Sequence, residues 1–596
     1  MKITIMNEHS FIFYVFEGGM KVEKPWLKSY PEEIPSTVSY DIQPLHRYVE
    51  QMASRYPEKK ALHFLGKDIT FSDFHDKVKR FANYLQKLGV EKGDRVAIML
   101  PNCPQAVIGY YGTLLAGGIV VQTNPLYTER ELEYQLHDSG AKVILCLDLV
   151  FPRVTNVQSA TKIEHIIVTR IADFLPFPKN LLYPFVQKKQ SNLVVKVSES
   201  ETIHLWNSVE KEVNTNVEVP CDPENDLALL QYTGGTTGFP KGVMLTHYNV
   251  VNDGKCIGDR MGLSTADRMM IQVPMFHCFG MVLAMTASMT HGTTLCPLPY
   301  FSAKNSLACI NQEHITCFHG VPTMFIAMFN HEDYRKTDFS YMRTGIMAGS
   351  GCPPELMKRA AQPDEMNMRG IVSVYGQTES SPGSTMSAWT DSLELRTETV
   401  GYSFPHVQTK VIDPETGKEL PDGQDGEFCS RGYHIMKGYY KMPDATNQAI
   451  DADGWLHSGD LARRNSDGTY LITGRLKDMI IRGGENIYPK EIEEFIYTHP
   501  AVADVQVIGV PDAKYGEAVM ACIILKPGMS VTKDEMIEYI KSHMARHKVP
   551  QYIEFVDSFP MNAAGKVLKY KMREEAAERL GLVGAAGIDT AGGVKK

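Results

Sequence analysis

The first part of the chain alternates between two hydrophobic patterns. Apolar residues recur at helical spacing in four stretches, His46–Tyr56, Ser72–Lys87, Gln105–Ala116 and Glu129–Ser139. Three short apolar runs between or after them are typical of buried strands: Arg95–Leu100, Gly118–Val121 and Lys142–Leu147. Since strands that alternate with helices build parallel sheets covered by helices, this pattern predicts an α/β domain.

The pattern changes in the last third of the chain. Val400–Tyr440 is rich in strand and turn residues, which favours a β-rich subdomain. Beyond Lys477 the spacing predicts helices over Pro489–Thr498 and Thr532–Ala545, and strands over Val502–Val510, Glu517–Leu525 and Ile553–Val556. We therefore predict an α/β protein with a large N-terminal domain of α/β subdomains plus a β-rich subdomain, and a small, mobile α+β C-terminal domain.

Length and composition favour a globular enzyme of more than one domain. The 596 residues exceed what one core needs, and 43% are hydrophobic while 22% are charged. A net charge of −9 gives no reason to expect nucleic acid as a partner. The 11 cysteines form no Cys-x-x-Cys pair, which favours reduced thiols in a cytoplasmic protein. No run of about 18 to 20 apolar residues predicts a membrane-spanning helix.

One stretch carries candidate chemistry for a polyphosphate. The buried-strand run Leu227–Tyr232 leads into three threonines and three glycines, and Lys241 follows: the small residues are Thr233, Gly234, Gly235, Thr236, Thr237 and Gly238. Glycine lets backbone N–H groups turn toward a ligand, and threonine adds hydroxyl donors. A lysine then supplies positive charge, so the stretch predicts a phosphate cradle. It departs from the common Gly-x4-Gly-Lys-Ser/Thr loop, because Pro240 and Gly242 stand at two required positions.

Tyr232–His247 resembles the phosphate-loop signature of the adenylate-forming superfamily, which includes acyl-CoA synthetases, adenylation domains and luciferases. Gly234 stands where the superfamily usually has serine, as in its fatty-acyl-CoA synthetase branch. About seven motifs match in order over residues 40–580. The resemblance implies that the six small residues and Lys241 bind ATP, that Gly349, Ser350 and Gly351 border adenine, and that Tyr375, Gly376 and Gln377 contact the nucleotide.

The resemblance also implies roles for charged and polar residues. Thr378 would bond the phosphate or the substrate carboxylate, and Glu379 would hold Mg²⁺, a cation that prefers carboxylate oxygen. Asp460 would accept the ribose hydroxyls, and Arg475 would be a second ribose or phosphate contact. Lys566 is the strongest catalytic candidate, since a mobile ammonium could neutralise charge where the carboxylate meets the α-phosphate.

Other matching segments imply the acyl and CoA sites. Met270–Gly280, with Phe276, His277 and Gly280, and Cys317–Thr323, with Val321, would wall the acyl pocket. His277 has two interpretations, a pocket residue near the carboxylate or a core histidine with satisfied nitrogens. Lys477 would be the hinge of the small domain, and the CoA tunnel would be lined by Gly483, Gly484 and Glu485.

The implied reaction has two halves, with ATP, Mg²⁺ and CoA as its requirements. A medium- to long-chain fatty acid attacks the α-phosphate of ATP to give an acyl-adenylate and pyrophosphate, and the CoA thiol then displaces AMP. Three alternatives stay open at this point. They are an aryl-acid or other carboxylic-acid CoA ligase, a stand-alone adenylation enzyme, and an inactive nucleotide-binding scaffold.

Domain limits and surface contacts are also predicted. We expect an N-terminal extension over 1–39 with Met20 as an alternative start, a large AMP-binding domain over 40–476, a small domain over 477–580 and a disordered tail over 581–596. The aromatic, proline-containing stretch Phe174–Phe185 has three interpretations: a homodimer contact, a peripheral membrane patch on an otherwise cytoplasmic protein, or a loop packed on its own domain.

Overall fold

The computed structural model describes residues 25–191, 195–213, 217, 219–233, 240–349, 351–483, 485–561 and 567–582. The expectations for Met1–Gly19, Met20 and the tail from residue 583 lie outside these ranges. Within them, five sheets and the helices around them build the protein. The predicted fold class is confirmed, whereas the domain limits remain predictions.

The first α/β region follows the predicted alternation closely. Its elements are α1 (Arg47–Arg55), β1 (Lys60–Phe64), β2 (Lys67–Thr70), α2 (Phe71–Lys87), β3 (Arg95–Met99), α3 (Pro104–Leu115), β4 (Ile119–Gln122), α4 (Glu129–Ser139), β5 (Val143–Leu147), α5 (Phe151–Gln158), β6 (His165–Thr169), α6 (Lys179–Ser191), β7 (Ile203–Leu205) and α7 (Trp206–Glu210). The four predicted helices and three predicted strands are confirmed within two residues at each end. Local periodicity suffices here because each element buries one regular face.

The second α/β region runs to residue 399. It contains β8 (Leu227–Thr233), β9 (Lys241–Thr246), α8 (His247–Met261), β10 (Arg268–Ile271), a buried π-helix (Phe279–Thr286), α9 (Ala287–His291), β11 (Thr294–Pro297), α10 (Ala303–Glu313), β12 (Cys317–Gly320), α11 (Pro322–Phe329), β13 (Thr344–Met347), α12 (Pro354–Ala361), β14 (Gly370–Val372), β15 (Val374–Tyr375), β16 (Thr385–Met386) and α13 (Leu393–Glu398).

These regions share two mostly parallel sheets. In the described residues one sheet has the order β14-β13-β12-β10-β11-β1-β2, and the other has β20-β9-β8-β4-β3-β5-β6-β7. A buried side chain joins their carboxyl ends. Asn102, just beyond β3, donates to the carbonyls of Ile271 (3.2 Å) and Val273 (2.9 Å) beyond β10 and accepts from the Met275 amide (2.8 Å). Ligands of open α/β sheets bind at such carboxyl edges.

The β-rich subdomain and the small domain complete the chain. The former contains β17 (Tyr402–Ser403), β18 (Gln408–Ile412), β19 (Asp425–Arg431), β20 (Gly438–Tyr439), α14 (Pro443–Ala449), β21 (Leu456–Arg464) and β22 (Tyr470–Arg475). The latter contains β23 (Ile480–Arg482), β24 (Glu485–Ile487), α15 (Pro489–Tyr497), β25 (Val502–Asp512), β26 (Gly516–Leu525), α16 (Lys533–Lys541), β27 (Tyr552–Phe555) and α17 (Lys569–Arg579). The antiparallel sheet β18-β19-β21-β22 confirms the predicted β-rich character.

The stretch after Ile171 differs from its interpretation as a loop. It forms the helix α6, with Pro184 inside it. Periodicity could not reveal this helix, because several of its apolar side chains point to solvent instead of to a core. Among the described helices, none has both the length and the apolar content that crossing a membrane requires.

Arg260 generates a stability prediction for the large domain. Its side chain is 1% exposed and donates to the carbonyls of Met386, Tyr402 (2.8 Å) and Ser403 (2.7 Å). Arg260→Met would leave these buried acceptors without their donor, which costs about 1–3 kcal/mol. We expect a thermal midpoint lower by at least about 2 °C, measured by calorimetry.

Arg335→Met is the matched control. Arg335 forms an ion pair with Glu365 at 3.2 Å, with two thirds of its side chain exposed (67%). Such a surface pair is worth about 0–1 kcal/mol. Equal midpoints for the two variants would contradict a structural role for the Arg260 cluster.

Candidate active site

The predicted phosphate cradle lies at the turn of a β-hairpin. β8 and β9 pair antiparallel, with Tyr232 opposite Gly242 and Thr233 opposite Lys241, so both strands end at the loop. The Tyr232 hydroxyl donates to Asp138 at 2.6 Å, and its ring lies 3.2 Å from where a Cβ atom of residue 242 would stand. The hairpin therefore projects Thr233 and Lys241 from a fixed base. The tip, Gly234–Phe239, lies outside the described residues.

A short chain of contacts connects Lys241 to Glu379. The Lys241 ammonium lies 4.7 Å from the ring centroid of Tyr439, within cation–π distance. The Tyr439 hydroxyl donates to Oε1 of Glu379 at 2.8 Å. β20 holds Tyr439 beside β9 by pairing Tyr439 with Val243. The arrangement places a cation and a carboxylate on two sides of one aromatic ring, as a site for a metal–phosphate complex requires.

Glu379 also offers a metal-binding oxygen. In the described part of the chain, its Oε2 has no hydrogen-bond partner, while Oε1 is held by Tyr439. Its backbone carbonyl accepts from the Met436 amide at 2.9 Å, which fixes the short 3₁₀ turn Thr378–Ser380. A positioned carboxylate oxygen of this kind fits Mg²⁺.

Tyr375, Asp460 and Arg475 come together from three strands. The Tyr375 hydroxyl donates to Oδ2 of Asp460 at 2.9 Å, and Nε of Arg475 lies 3.1 Å from Oδ1. Asp460 and Arg475 face each other across β21 and β22. The Asp460 side chain is buried, and each of its oxygens keeps a second lone pair for a hydroxyl donor. This cluster brings together three residues that the sequence predicted for the nucleotide.

Two glycines allow close approach beside this cluster. A Cβ atom at Gly376 would lie 1.7 Å from the Pro382 carbonyl oxygen, so only glycine fits there. Gly349 has a φ of +90°, and a Cβ atom there would lie 3.0 Å from Cγ1 of Val321 and 3.8 Å from the ring of Phe279. The predicted adenine segment therefore touches the predicted acyl wall.

The acyl segment Met270–Gly280 is tied to the phosphate hairpin. Gln231 on β8 donates to the Phe276 carbonyl at 3.0 Å. The Phe279 amide donates to Nδ1 of His277 at 3.2 Å, so this histidine helps start the π-helix while staying partly exposed. A Cβ atom at Gly280 would lie 2.3 Å from the Pro274 carbonyl oxygen, which explains the glycine. His277 is accordingly not a fully buried core residue, and its contact with a substrate stays a prediction.

A second histidine, which sequence reasoning passed over, supports the pocket wall. His319 is fully buried, stacks on Phe279 with centroids 5.8 Å apart, and its Nδ1 accepts from the Ile346 amide at 3.1 Å. Its Nε2 therefore carries the proton and donates to the Leu283 carbonyl at 2.9 Å. Burial lowers the pKa of His319 to about 4, so the ring is neutral at pH 7. Its place in Cys317–Thr323 was the available signal.

Glu427 holds the turn that carries Asp460. Its Oε1 accepts from the Gly459 amide at 3.0 Å, and its Oε2 lies 3.0 Å from Nδ1 of His457. Nε2 of His457 lies 3.5 Å from Asp451, which fixes the ring from its other side. With Cys429 these side chains bring three metal-ligand types together, but both Glu427 oxygens already have partners. We interpret the group as a clamp on residues 457–460.

The residues predicted on the small domain are only partly described. Gly483 has a φ of +61° in the β23–β24 turn, next to Glu485, and its amide donates to the Tyr515 carbonyl at 2.7 Å. Lys477 lies in the 3₁₀ turn Leu476–Asp478, whose ends are held by Arg573 through the Lys477 carbonyl (3.3 Å) and Asp478 (2.6 Å).

Contact between the domains occurs at Lys490, which was not predicted. Its ammonium donates to the Ile472 carbonyl at 2.5 Å, and its Cε would lie 3.8 Å from a Cβ atom at Gly351. The predictions for Gly234, Gly235, Thr236, Thr237, Gly238, Ser350, Gly484 and Lys566 fall outside the described residues.

Sequence models of two families match the chain. The one described as AMP-binding enzyme covers residues 49–440, and the one described as AMP-binding enzyme C-terminal domain covers 491–566. The long-chain-fatty-acid–CoA ligase of Bacillus subtilis (strain 168) is 38% identical over 564 residues, 94% of this chain and 99% of that protein. The mitochondrial medium-chain acyl-CoA ligase ACSF2 of Homo sapiens is 37% identical over 556 residues, 90% of this chain and 88% of that protein.

A solved structure agrees with these matches. ATP-bound MatB from Rhodopseudomonas palustris has a TM-score of 0.78 and 26% identity to this chain, over 90% of this chain and 100% of that one. The likeness extends through both sequence-matched regions.

The Glu427 clamp generates a prediction on nucleotide affinity. Glu427→Ala removes the acceptor of the Gly459 amide and frees His457, so Asp460 loses its fixed position. We expect about tenfold weaker ATP binding, equivalent to about 1.4 kcal/mol, in calorimetric titrations without acid or CoA.

Two further variants decide whether this loss is specific. Glu427→Gln keeps an acceptor for Gly459 and should restore most of the affinity. Glu419→Ala removes a half-exposed partner of Arg464 in the neighbouring β-strand region and should leave affinity unchanged. A loss in Glu419→Ala as large as in Glu427→Ala would contradict the clamp.

Proposed function

The chain belongs to the AMP-binding enzyme family, and from this premise we propose that it converts a medium- to long-chain fatty acid, ATP and CoA into acyl-CoA, AMP and pyrophosphate. It is an AMP-forming acid–thiol ligase whose relatives act on long- and medium-chain acids. The observation that carries the proposal is the contact of Gly349 with Val321 and Phe279, because it joins the nucleotide cluster to an apolar wall. A carboxylate at that junction would face the α-phosphate.

In the first half-reaction, a carboxylate oxygen attacks the α-phosphorus and the bond to pyrophosphate breaks. Two negatively charged reactants must meet, so the site has to supply positive charge and fixed donors. Lys241 and the Thr233 hydroxyl support this role from the hairpin base, and Lys566 would add an ammonium at the reacting carboxylate. Thr378 is buried beside the same turn and would bond the carboxylate or phosphate. Glu379 would hold Mg²⁺, which would neutralise phosphate charge when bound.

The nucleoside would be held by the Tyr375–Asp460–Arg475 cluster. The Tyr375 ring would stack on adenine, while its hydroxyl keeps Asp460 in place. The Asp460 oxygens would accept the two ribose hydroxyls through their remaining lone pairs. Because Arg475 already balances the carboxylate charge, the ribose meets an ionised and oriented acceptor.

In the second half-reaction, the CoA thiol attacks the acyl carbonyl carbon and AMP leaves with the bonding electrons. We propose that the small domain rotates about Lys477 between the halves, removing Lys566 and bringing Gly483, Gly484 and Glu485 to the tunnel. The hinge turn is held by Arg573, which sits on the small domain, so the turn's downstream end would move with it.

The experiment that tests this function measures AMP release with ATP, Mg²⁺ and CoA over fatty acids from short to long. Benzoate and cinnamate serve as aryl controls. We expect release that peaks between medium and long chains, together with thioester formation. Release with aryl acids alone would overturn the fatty-acid proposal and keep the mechanism.

Two further outcomes separate the remaining alternatives. ATP–pyrophosphate exchange without thioester would indicate a stand-alone adenylation enzyme. Nucleotide binding without exchange, for any acid, would indicate a scaffold.

Tyr439 generates a prediction about the metal–phosphate site. Tyr439→Phe keeps the ring beneath Lys241 but removes the hydrogen bond to Glu379. We expect kcat/KM for ATP to fall about 3- to 10-fold, with a higher half-saturating Mg²⁺ concentration, because a hydrogen bond to a charged group is worth about 1.5–3 kcal/mol at most.

Tyr440→Phe is its matched control. It removes the hydroxyl of the adjacent tyrosine, whose backbone amide keeps its bond to the Gly242 carbonyl at 2.7 Å. Unchanged Mg²⁺ dependence in Tyr439→Phe would show that Tyr439 does not position Glu379.

A further inference from the structure

An exposed apolar surface lies on the stretch around α6. We define the apolar ridge as Phe177, Leu181, Leu182 and Phe185, whose exposures are 79%, 62%, 57% and 74%. Four large apolar side chains this exposed within nine residues are unusual, since scattered single ones are the norm on a soluble surface. The ridge therefore needs an apolar partner.

The ridge is held in place by the opposite side of α6. Tyr183 packs against the main core, and Gln187 donates to Asp148 at 3.0 Å. At the start of the helix, the Lys179 ammonium donates to the Leu65 carbonyl at 2.9 Å. Because the helix is anchored along this side, turning the ridge inward would break these contacts.

The charge beside the ridge is positive. Lys179–Ser191 contains Lys179, Lys188 and Lys189 and no acidic residue, although the whole chain carries −9. Lys188 and Lys189 are exposed, and neither has an ion pair in the part of the chain that the structure describes. An apolar ridge flanked by lysines is the pattern of a segment that lies in a membrane interface.

We propose that the apolar ridge docks this protein on the surface of an anionic lipid bilayer. Phe177, Leu181, Leu182 and Phe185 enter the boundary between headgroups and acyl chains, while Lys188 and Lys189 meet lipid phosphates. This inference rests on the proposed function, because a fatty acid partitions into such a bilayer and docking would place the enzyme at its substrate's reservoir.

A second copy of the chain fits the same surface less well. The ridge side chains expose roughly 500 Å² at ordinary side-chain areas, below the about 800 Å² per partner of a stable interface. A two-fold contact through this ridge would also bring two copies of Lys188 and Lys189 toward each other. Both arguments favour a lipid surface.

The test is co-sedimentation with vesicles, without ATP, acid or CoA. Wild-type protein is mixed with phosphatidylcholine vesicles that contain or lack 30% phosphatidylglycerol. We expect binding to the anionic vesicles that weakens with added salt. Phe177→Ser/Leu181→Ser/Leu182→Ser/Phe185→Ser should reduce the partition coefficient at least tenfold, and Lys188→Gln/Lys189→Gln should reduce it several-fold on anionic vesicles only.

Ile42→Ser/Tyr341→Ser/Met529→Ser is the matched control, since these side chains are also exposed (61%, 51% and 47%) but lie elsewhere. It should bind as wild type. All variants should keep their melting temperature and their activity with dissolved octanoate. Absence of wild-type binding, or equal binding by the ridge variant, would overturn the proposal.

Sedimentation velocity on the same proteins covers the other occupant. A wild-type dimer that becomes a monomer in the ridge variant, without vesicle binding, would assign the ridge to a second copy and overturn the lipid proposal. Vesicle binding needs no turnover, so its failure is distinguishable from a failure of AMP release with every acid.

Discussion

The candidate active site depends on one buried amide. Asn102, at the carboxyl end of β3, binds two carbonyls and one amide of the segment that follows β10, and so fixes two separate sheets edge to edge. The acyl segment from Pro274 to Gly280 can hold its position only because of this connection and the bond from Gln231 to Phe276. Both bonds lie away from water, where an unmatched donor or acceptor is expensive. The register of the two sheets is therefore fixed where the two substrates would meet.

Charge in the site is arranged in held pairs. Lys241 lies over Tyr439, which binds Glu379, and Arg475 balances Asp460, which Tyr375 also holds. A site that joins a carboxylate to a triphosphate has to keep its cations and acceptors oriented before the reactants arrive, because reorienting them during the reaction would add to the barrier. The Glu427–His457–Asp451 chain extends this order to the turn before Asp460.

The small domain and α6 serve different needs of the same chemistry. A two-step reaction needs two arrangements of groups around one acyl carbon, which a hinge at a domain boundary can provide. An apolar substrate needs a route from its reservoir, which an exposed ridge on an anchored helix can provide. Neither feature belongs to the nucleotide site, yet each follows from the substrates that the site would join.

The sequence by itself determined the fold class and the local elements. Runs such as Arg95–Leu100 and Leu227–Tyr232 became β3 and β8 because a strand buried on both faces must be apolar along its length. The motifs also identified Lys241, Glu379, Asp460 and Arg475 as one group, through resemblance. Only the tertiary structure decided how they meet. Lys241 and Tyr439, Asn102 and Val273, and Glu427 and Gly459 are joined by hydrogen bonds or ring contacts between strands of different hairpins, sheets and subdomains. Local periodicity reports which face of an element is buried, not which distant element covers it, so these partners could not be predicted. The outward face of α6 was hidden for the same reason, because its apolar residues do not face the protein's own core.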